Sequence, residues 1–176
     1  MGRRRRQERR EDRHGGGGTN RYQMREKMVA IGDDFWIENA AGQRTYKVDG
    51  KALRVRDTLK FEDTHGNELC KIQERKARVK DTMKIEGPGG ETLATVKKAL
   101  ITPVRDRWEI NVEGGPDLEI QGNIVDHEYR IEEGRTKVAE VSKKWFRVRD
   151  SYGVEIAPGQ NDILILAATV AIDMMR

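Results

Sequence analysis

The side chains able to do chemistry are few and widely spaced. The three histidines, His14, His65 and His127, stand far apart, and a pattern reading puts them in an N-terminal arm, a turn and a strand. No HxxxH or mixed His/Cys spacing joins them, so no zinc site is expected. Ser142 and Ser151 lack the strand–turn–helix context of a nucleophile elbow. His65 beside Asp63 reads as a hairpin residue, not a general base. Cys70, in phase with Ile72, reads as a small core hydrophobe. As the one cysteine of the chain it excludes an internal disulfide framework and a thiolate-rich metal centre. A reducing cytoplasm fits that usage. No catalytic residue, metal ligand or cofactor is assigned.

What remains is charge. Residues 71–84 carry Lys71, Arg75, Lys76, Arg78, Lys80 and Lys84 against Glu74 and Asp81, and residues 143–149 add Lys143, Lys144, Arg147 and Arg149 around Trp145. Residues 109–133 are acidic instead, with Arg130 among Glu109, Glu113, Asp117, Glu119, Asp126, Glu128, Glu132 and Glu133. If folding puts these stretches on different sides, one side is a basic patch. Arg75, Lys76, Arg78, Lys80, Lys143, Lys144 and Arg147 are then the candidate ligand-binding residues. Such a patch attracts anionic headgroups at about 1 kcal/mol per basic residue, or tracks a nucleic-acid backbone. The other reading is an ordinary solvated surface of mixed charge.

The net charge of +4 does not belong to the folded part. Residues 1–18 hold Arg3, Arg4, Arg5, Arg6, Arg9, Arg10 and Arg13 against Glu8, Glu11 and Asp12, a surplus equal to that of the whole chain. Residues 19–176 therefore carry as many bases as acids, and the pI near 9.2 describes an arm. A nucleic-acid-binding domain usually has its own positive excess. Gly15 to Gly18 form a linker with no apolar anchor. No Lys-Ser or Lys-Thr follows them, so they are not a phosphate loop. The arm is expected to be disordered, either a plain solvated tail or an electrostatic tether. It has no apolar run behind the arginines and so does not read as an export signal.

From Tyr22 onward the apolar residues alternate with period two, the mark of strands with one buried face. Leu53/Val55, Leu59/Phe61, Met83/Ile85, Trp108/Ile110/Val112, Leu118/Ile120, Tyr129/Ile131 and Phe146/Val148 follow it. Asp49-Gly50, His65-Gly66, Pro88-Gly89-Gly90, Gly114-Gly115-Pro116, Glu133-Gly134 and Tyr152-Gly153 supply turn chemistry between them. Ten to twelve strands are expected, in a barrel or sandwich. Residues 54–62 and 78–86 resemble one another at an offset of 24, a weak internal repeat, with a truncated third copy from Arg147.

The C-terminal segment breaks the alternation. After Pro158-Gly159, Asn161 or Asp162 can cap a helix, and only Thr169 and Asp173 are polar in 163–175. An all-apolar helix is either buried or in a membrane. Fourteen residues reach about 20 Å, short of the ~30 Å hydrocarbon core, so burial is expected over about 162–175. A barrel of more than about eight strands leaves a void that side chains cannot fill, and a central helix fills it. The expected fold is thus mainly β, a closed antiparallel barrel around one apolar helix over 19–176, with 1–18 as the arm.

Tyr22 to Lys27, Phe35 to Asn39, Tyr46 to Leu53, Phe61 to Leu69 and the apolar helix at 163–175 occur in an order that resembles the LURP-one-related family. That family stands in the Tubby C-terminal-like group, which also includes the phospholipid scramblases. The resemblance spans about 20–176. It implies a twelve-stranded barrel around a C-terminal helix. Tubby-type domains bind phosphoinositides through basic surface residues. Scramblases carry a cysteine cluster and a calcium-binding stretch, and this chain departs from both, with one cysteine and a single acid, Asp162, in 157–162. The reading is a cytoplasmic, non-enzymatic binding or scaffold barrel for an anionic phosphate-bearing ligand. Phospholipid headgroups or a phosphoinositide at the inner membrane surface come before nucleic acid. The competing classes are an enzyme acting on a phosphorylated small molecule or polyphosphate at a barrel mouth, and a protein-interaction module.

Overall fold

Strand alternation runs almost the length of the chain, and the structure turns it into a single closed sheet. The structure is a computed structural model that describes residues 18–25, 34–50, 58–74, 82–102, 105–146 and 149–176. Twelve strands lie among them: β1 (Asn20–Arg25), β2 (Phe35–Asn39), β3 (Arg44–Asp49), β4 (Thr58–Asp63), β5 (Glu68–Glu74), β6 (Thr82–Glu86), β7 (Thr92–Thr102), β8 (Arg105–Val112), β9 (Leu118–Asn123), β10 (Glu128–Glu133), β11 (Thr136–Ser142) and β12 (Ser151–Ile156). A 3-10 turn, η1 (Lys143–Trp145), links β11 to β12, and one helix, α1 (Asp162–Met175), follows. Each strand pairs antiparallel with its neighbours in sequence, and β1 closes the barrel on β12 from Asn20↔Ile156 to Arg25↔Ser151.

The inward positions are those the alternation marks. Leu59, Phe61, Cys70, Ile72, Ile85 and Ile110 are fully buried. The middle of α1, from Leu164 to Ile172, is buried as well. The helix starts where expected, because the Asn161 side chain accepts from the Leu164 amide at 3.1 Å. No helix among the described residues is long and apolar enough to cross a membrane.

The internal repeat extends further than sequence matching finds. Gly42, Gly66, Gly90 and Gly114 stand 24 residues apart, each at a hairpin with φ between 70° and 85°. Left-handed backbone of this kind is costly for other residues. The first three hairpins share a register shift at Ile37/Glu38, Phe61/Glu62 and Ile85/Glu86, again 24 apart. A bulge strengthens local twist and so helps a sheet close on itself. The fourth hairpin pairs in unbroken register from Trp108↔Ile120 to Ile110↔Leu118, so its incoming strand is offset by one residue and escapes a sequence match.

Three expectations are corrected. Tyr152-Gly153 is no turn: both residues lie inside β12 and are buried. The missing side chain at Gly153 makes room for two rings, since a Cβ there would come within 2.7 Å of Trp145 and Phe146. Phe146 therefore follows η1 and is not in a strand. His127 is not in a strand either, and ends the turn before β10 with φ of 51°. The pair Leu53/Val55 and Val148 lie outside the described residues.

Burial also sets an alkaline limit to the fold. It pushes the Cys70 thiol up from 9.0 to about 12, and raises the phenols of Tyr129 and Tyr152 well above their ordinary value. The unfolded chain releases these protons at their usual pH while the folded chain holds them. The contribution of these groups is therefore full below about pH 9 and is lost as pH rises toward 12, with Cys70 alone accounting for about 4 kcal/mol of that loss. Urea midpoints should drop between pH 8 and 11, and less steeply in Cys70→Val. Equal slopes for the two proteins would contradict this.

Candidate functional site

Up-and-down connectivity gives the barrel two unlike ends. The strand ends on either side of 26–33, 51–57, 75–81 and 103–104, with the links β9–β10 and β11–β12, mark one end, the rim; the other strand ends mark the foot. The helix starts at the foot and ends at the rim.

Each end of α1 is held by an aspartate. At the foot, Asp162 accepts from Tyr22 Oη at 2.6 Å and from Asn20 Nδ2 at 2.8 Å. Burial, with Asp162 beside it, pushes the Tyr22 phenol far above its ordinary range, so it stays a donor. At the rim, the largely buried Asp173 takes three partners. His127 Nε2 lies 2.9 Å from Oδ1, Arg176 Nε lies 3.5 Å from the same oxygen, and Tyr152 Oη donates to Oδ2. The His127 ring stacks on Tyr152 at 4.1 Å between centroids. His127 and Tyr152 are fully buried, and His127 Nδ1 has no hydrogen-bond partner. A histidine, a carboxylate and a phenol in contact could move a proton, but here substrate cannot reach them. Their work is to tie the helix end to β12 and to the β9–β10 turn.

The sequence hides this cluster because its members are spread over residues 127–173. One signal was available: an acid in an otherwise apolar buried helix must find partners, and Asp173 is such an acid.

The accessible chemistry lies on the rim around η1. The Ser142 hydroxyl accepts from the Lys144 amide at 3.1 Å and donates to the Glu128 carboxylate at 2.9 Å. Glu128 also accepts the Lys143 amide at 3.1 Å. This fixes Lys143–Trp145 as a ledge, with Trp145 laid over Gly153. The Arg21 guanidinium sits 4.9 Å from the Trp145 ring and pairs with Glu155 at 2.5 Å. The side chains of Lys144 and Arg149 are 82% and 95% exposed. Long contacts reach them, Lys144 to Glu128 at 3.9 Å and Arg149 to Asp150 at 3.7 Å, too loose to cancel their charge in water.

Of the expected ligand residues, Lys143 and Lys144 are therefore on the rim. Arg75, Lys76, Arg78, Lys80 and Arg147 lie outside the described residues, as do the seven arginines of the arm. The described ends of β5 and β6, which flank 75–81, reach the same rim as η1.

Beside the ledge the outer wall dips into a cleft of about 500 Å³ lined by Gln121, Gly122, Glu128, Arg130, Lys137 and Glu140. Lys137 is paired there with Glu140 at 2.6 Å, and Arg130 lies 3.6 Å from Glu132. Among the described residues no cluster of His, Cys, Asp and Glu could hold a metal ion. Asp63, the last residue of β4, braces the turn: it accepts the amides of His65 and Asn67 at 2.8 and 2.9 Å. The Asn67 bonds, chiefly, hold its carboxyl below the usual range.

The sequence pattern of the LURP-one-related family matches residues 20–173. The chain belongs to that family. The match takes in all twelve strands and nearly all of α1. The LURP-one-related barrel is similar to a crystal structure of a protein from Arabidopsis thaliana, with 17% identity, a TM-score of 0.65, and coverage of 89% of this chain and 90% of the plant chain. At that identity the likeness concerns the fold alone. No functionally curated protein matches the chain. Family membership and a barrel occupied by its own helix support a non-enzymatic scaffold or binding role.

Proposed function

We propose that this LURP-one-related barrel is a binding module for anionic, phosphate-bearing ligands, phospholipid headgroups before nucleic acid, and that it works at the inner face of a cytoplasmic membrane. The observation that carries the reading is topological. The described ends of β5 and β6, which flank 75–81, reach the same rim as η1, where Lys144 and Arg149 are exposed. The helix fills the interior, so a ligand must be met on the outside. The proposed contacts are Lys143, Lys144, Arg147 and Arg149 on one link, and Arg75, Lys76, Arg78 and Lys80 on the other. Charge at a surface of anionic lipid contributes about 1 kcal/mol per basic residue and is screened within about 10 Å at 0.1 M salt.

Vesicle sedimentation tests this. Binding to vesicles containing phosphatidylserine is expected at low salt, falling as salt rises, with none to phosphatidylcholine alone. Reversing Lys143, Lys144 and Arg149 to Glu should weaken binding roughly 100-fold. Reversing Arg75, Lys76, Arg78 and Lys80 to Glu should weaken it more than deleting residues 1–18 does. No binding at low salt rejects the lipid reading. Equal binding to duplex DNA replaces it with unspecific polyanion attraction.

A further inference from the structure

The rim carries an apolar point beside its cations. Val125 is 72% exposed, and no other large hydrophobic residue is exposed among the described residues. A lone exposed valine is ordinary. The rigidity of its support is not. The turn that carries it is closed by the His127 amide donating to Ile124 O at 3.2 Å. Asn123 Nδ2 donates to Asp126 Oδ2 at 2.7 Å, and the Asp126 amide to Asn123 Oδ1 at 3.1 Å. Arg176 Nη1 donates to Val125 O itself at 2.9 Å. Beneath it, His127 adopts left-handed backbone and is buried against Asp173 and Tyr152. A non-glycine residue at positive φ costs energy that the surroundings must offset. Here that cost and a buried polar cluster hold a valine out into solvent.

The exposed cations Lys144 and Arg149 belong to another link of the same rim. Arg176 is bonded to the Val125 carbonyl, and Glu128, three residues on, bonds the ledge that presents Lys144 and Trp145. The opposing charges there are Asp126, which is engaged by Asn123, and Asp150, which lies 3.7 Å from Arg149. An apolar tip, an indole and cations at one end suit the boundary of a bilayer, where aromatic rings and basic side chains meet headgroups and an aliphatic group reaches the acyl chains.

We propose that the barrel docks end-on to an anionic bilayer, rim first, with Val125 entering the acyl region and Lys144 and Arg149 in the headgroup layer. This rests on the lipid reading above and adds to it an orientation and an inserting residue. A partner that offers phosphates without an apolar layer, such as nucleic acid or a soluble headgroup, would leave Val125 in water.

The test uses the full chain with single-cysteine reporters. Cys70 is fully buried, so Val125→Cys takes an environment-sensitive fluorophore at one place. Glu113→Cys, exposed in the β8–β9 turn at the foot, is the control. On vesicles of phosphatidylserine and phosphatidylcholine, emission from position 125 should rise about threefold and be quenched by lipids brominated in their chains, with no change at 113. Val125→Ser should weaken vesicle binding about fivefold. Protein that sediments with vesicles while the label at 125 stays as in water overturns the end-on proposal and leaves the lipid reading standing. Failure of both labelled proteins to sediment with vesicles rejects the two together.

Discussion

Leu166→Asp should yield an insoluble or unfolded protein. Leu166 is fully buried near the middle of α1, and the closed sheet leaves no face of that part of the helix in water. A carboxylate there is either desolvated without a partner or held protonated, and both cost free energy. The lost leucine adds a packing defect worth about 2–5 kcal/mol. Together these approach the whole of a typical stability of about 5–15 kcal/mol. Glu119→Lys is the comparison. Glu119 is half-exposed, pairs with Arg107 at 2.9 Å, and lies opposite Glu109 and Glu132 on neighbouring strands. Reversal loses one surface pair and relieves two like-charge contacts, so its stability should stay within about 0.5 kcal/mol of the parent. A soluble, cooperative Leu166→Asp protein would contradict an enclosed helix.

The second large effect belongs to Asp173→Ala. Removing this carboxylate leaves His127 Nε2 and Tyr152 Oη unpaired in the interior, and Arg176 without its side-chain partner. Truncating one member of a buried charged cluster costs about 3–5 kcal/mol, which for a domain of this size lowers the thermal midpoint by roughly 10 °C. The cost should be non-additive with Tyr152→Phe, because that change removes a donor the alanine has orphaned. Tyr22→Phe at the foot should cost only about 1 kcal/mol, since Asp162 keeps Asn20 and partial access to water. A loss below 1 kcal/mol for Asp173→Ala would mean the cluster does not hold the helix.

The fold was legible because its two strongest signals are local. Alternation in segments such as Met83/Ile85 needs only neighbouring residues to be seen, and so does the apolar run Ile163–Ile172. Each constrains the other, since a large barrel needs filling and a short apolar helix needs covering. Hairpin glycines such as Gly66 and Gly90 declare themselves by position. Gly153 misled because a glycine after tyrosine looks like a turn, whereas its role depends on Trp145 and Phe146 crossing over it. The His127–Asp173–Tyr152 cluster was invisible for the same reason: its contacts are set by barrel closure, not spacing. The rim was half-legible. The basic stretches could be read, but that the described ends of β5 and β6 reach the same rim as η1 follows only from counting strands up and down.

The helix occupies the interior, and the proposed recognition surface is the rim. Amide chemical shifts on titration with phosphatidylserine-containing nanodiscs test this division most directly. Perturbations should gather at 125–127, 143–150 and 176, and be absent from the foot turns at 40–43, 64–67 and 113–117 and from the buried helix at 164–172. Shifts centred on the helix or on the foot would contradict it.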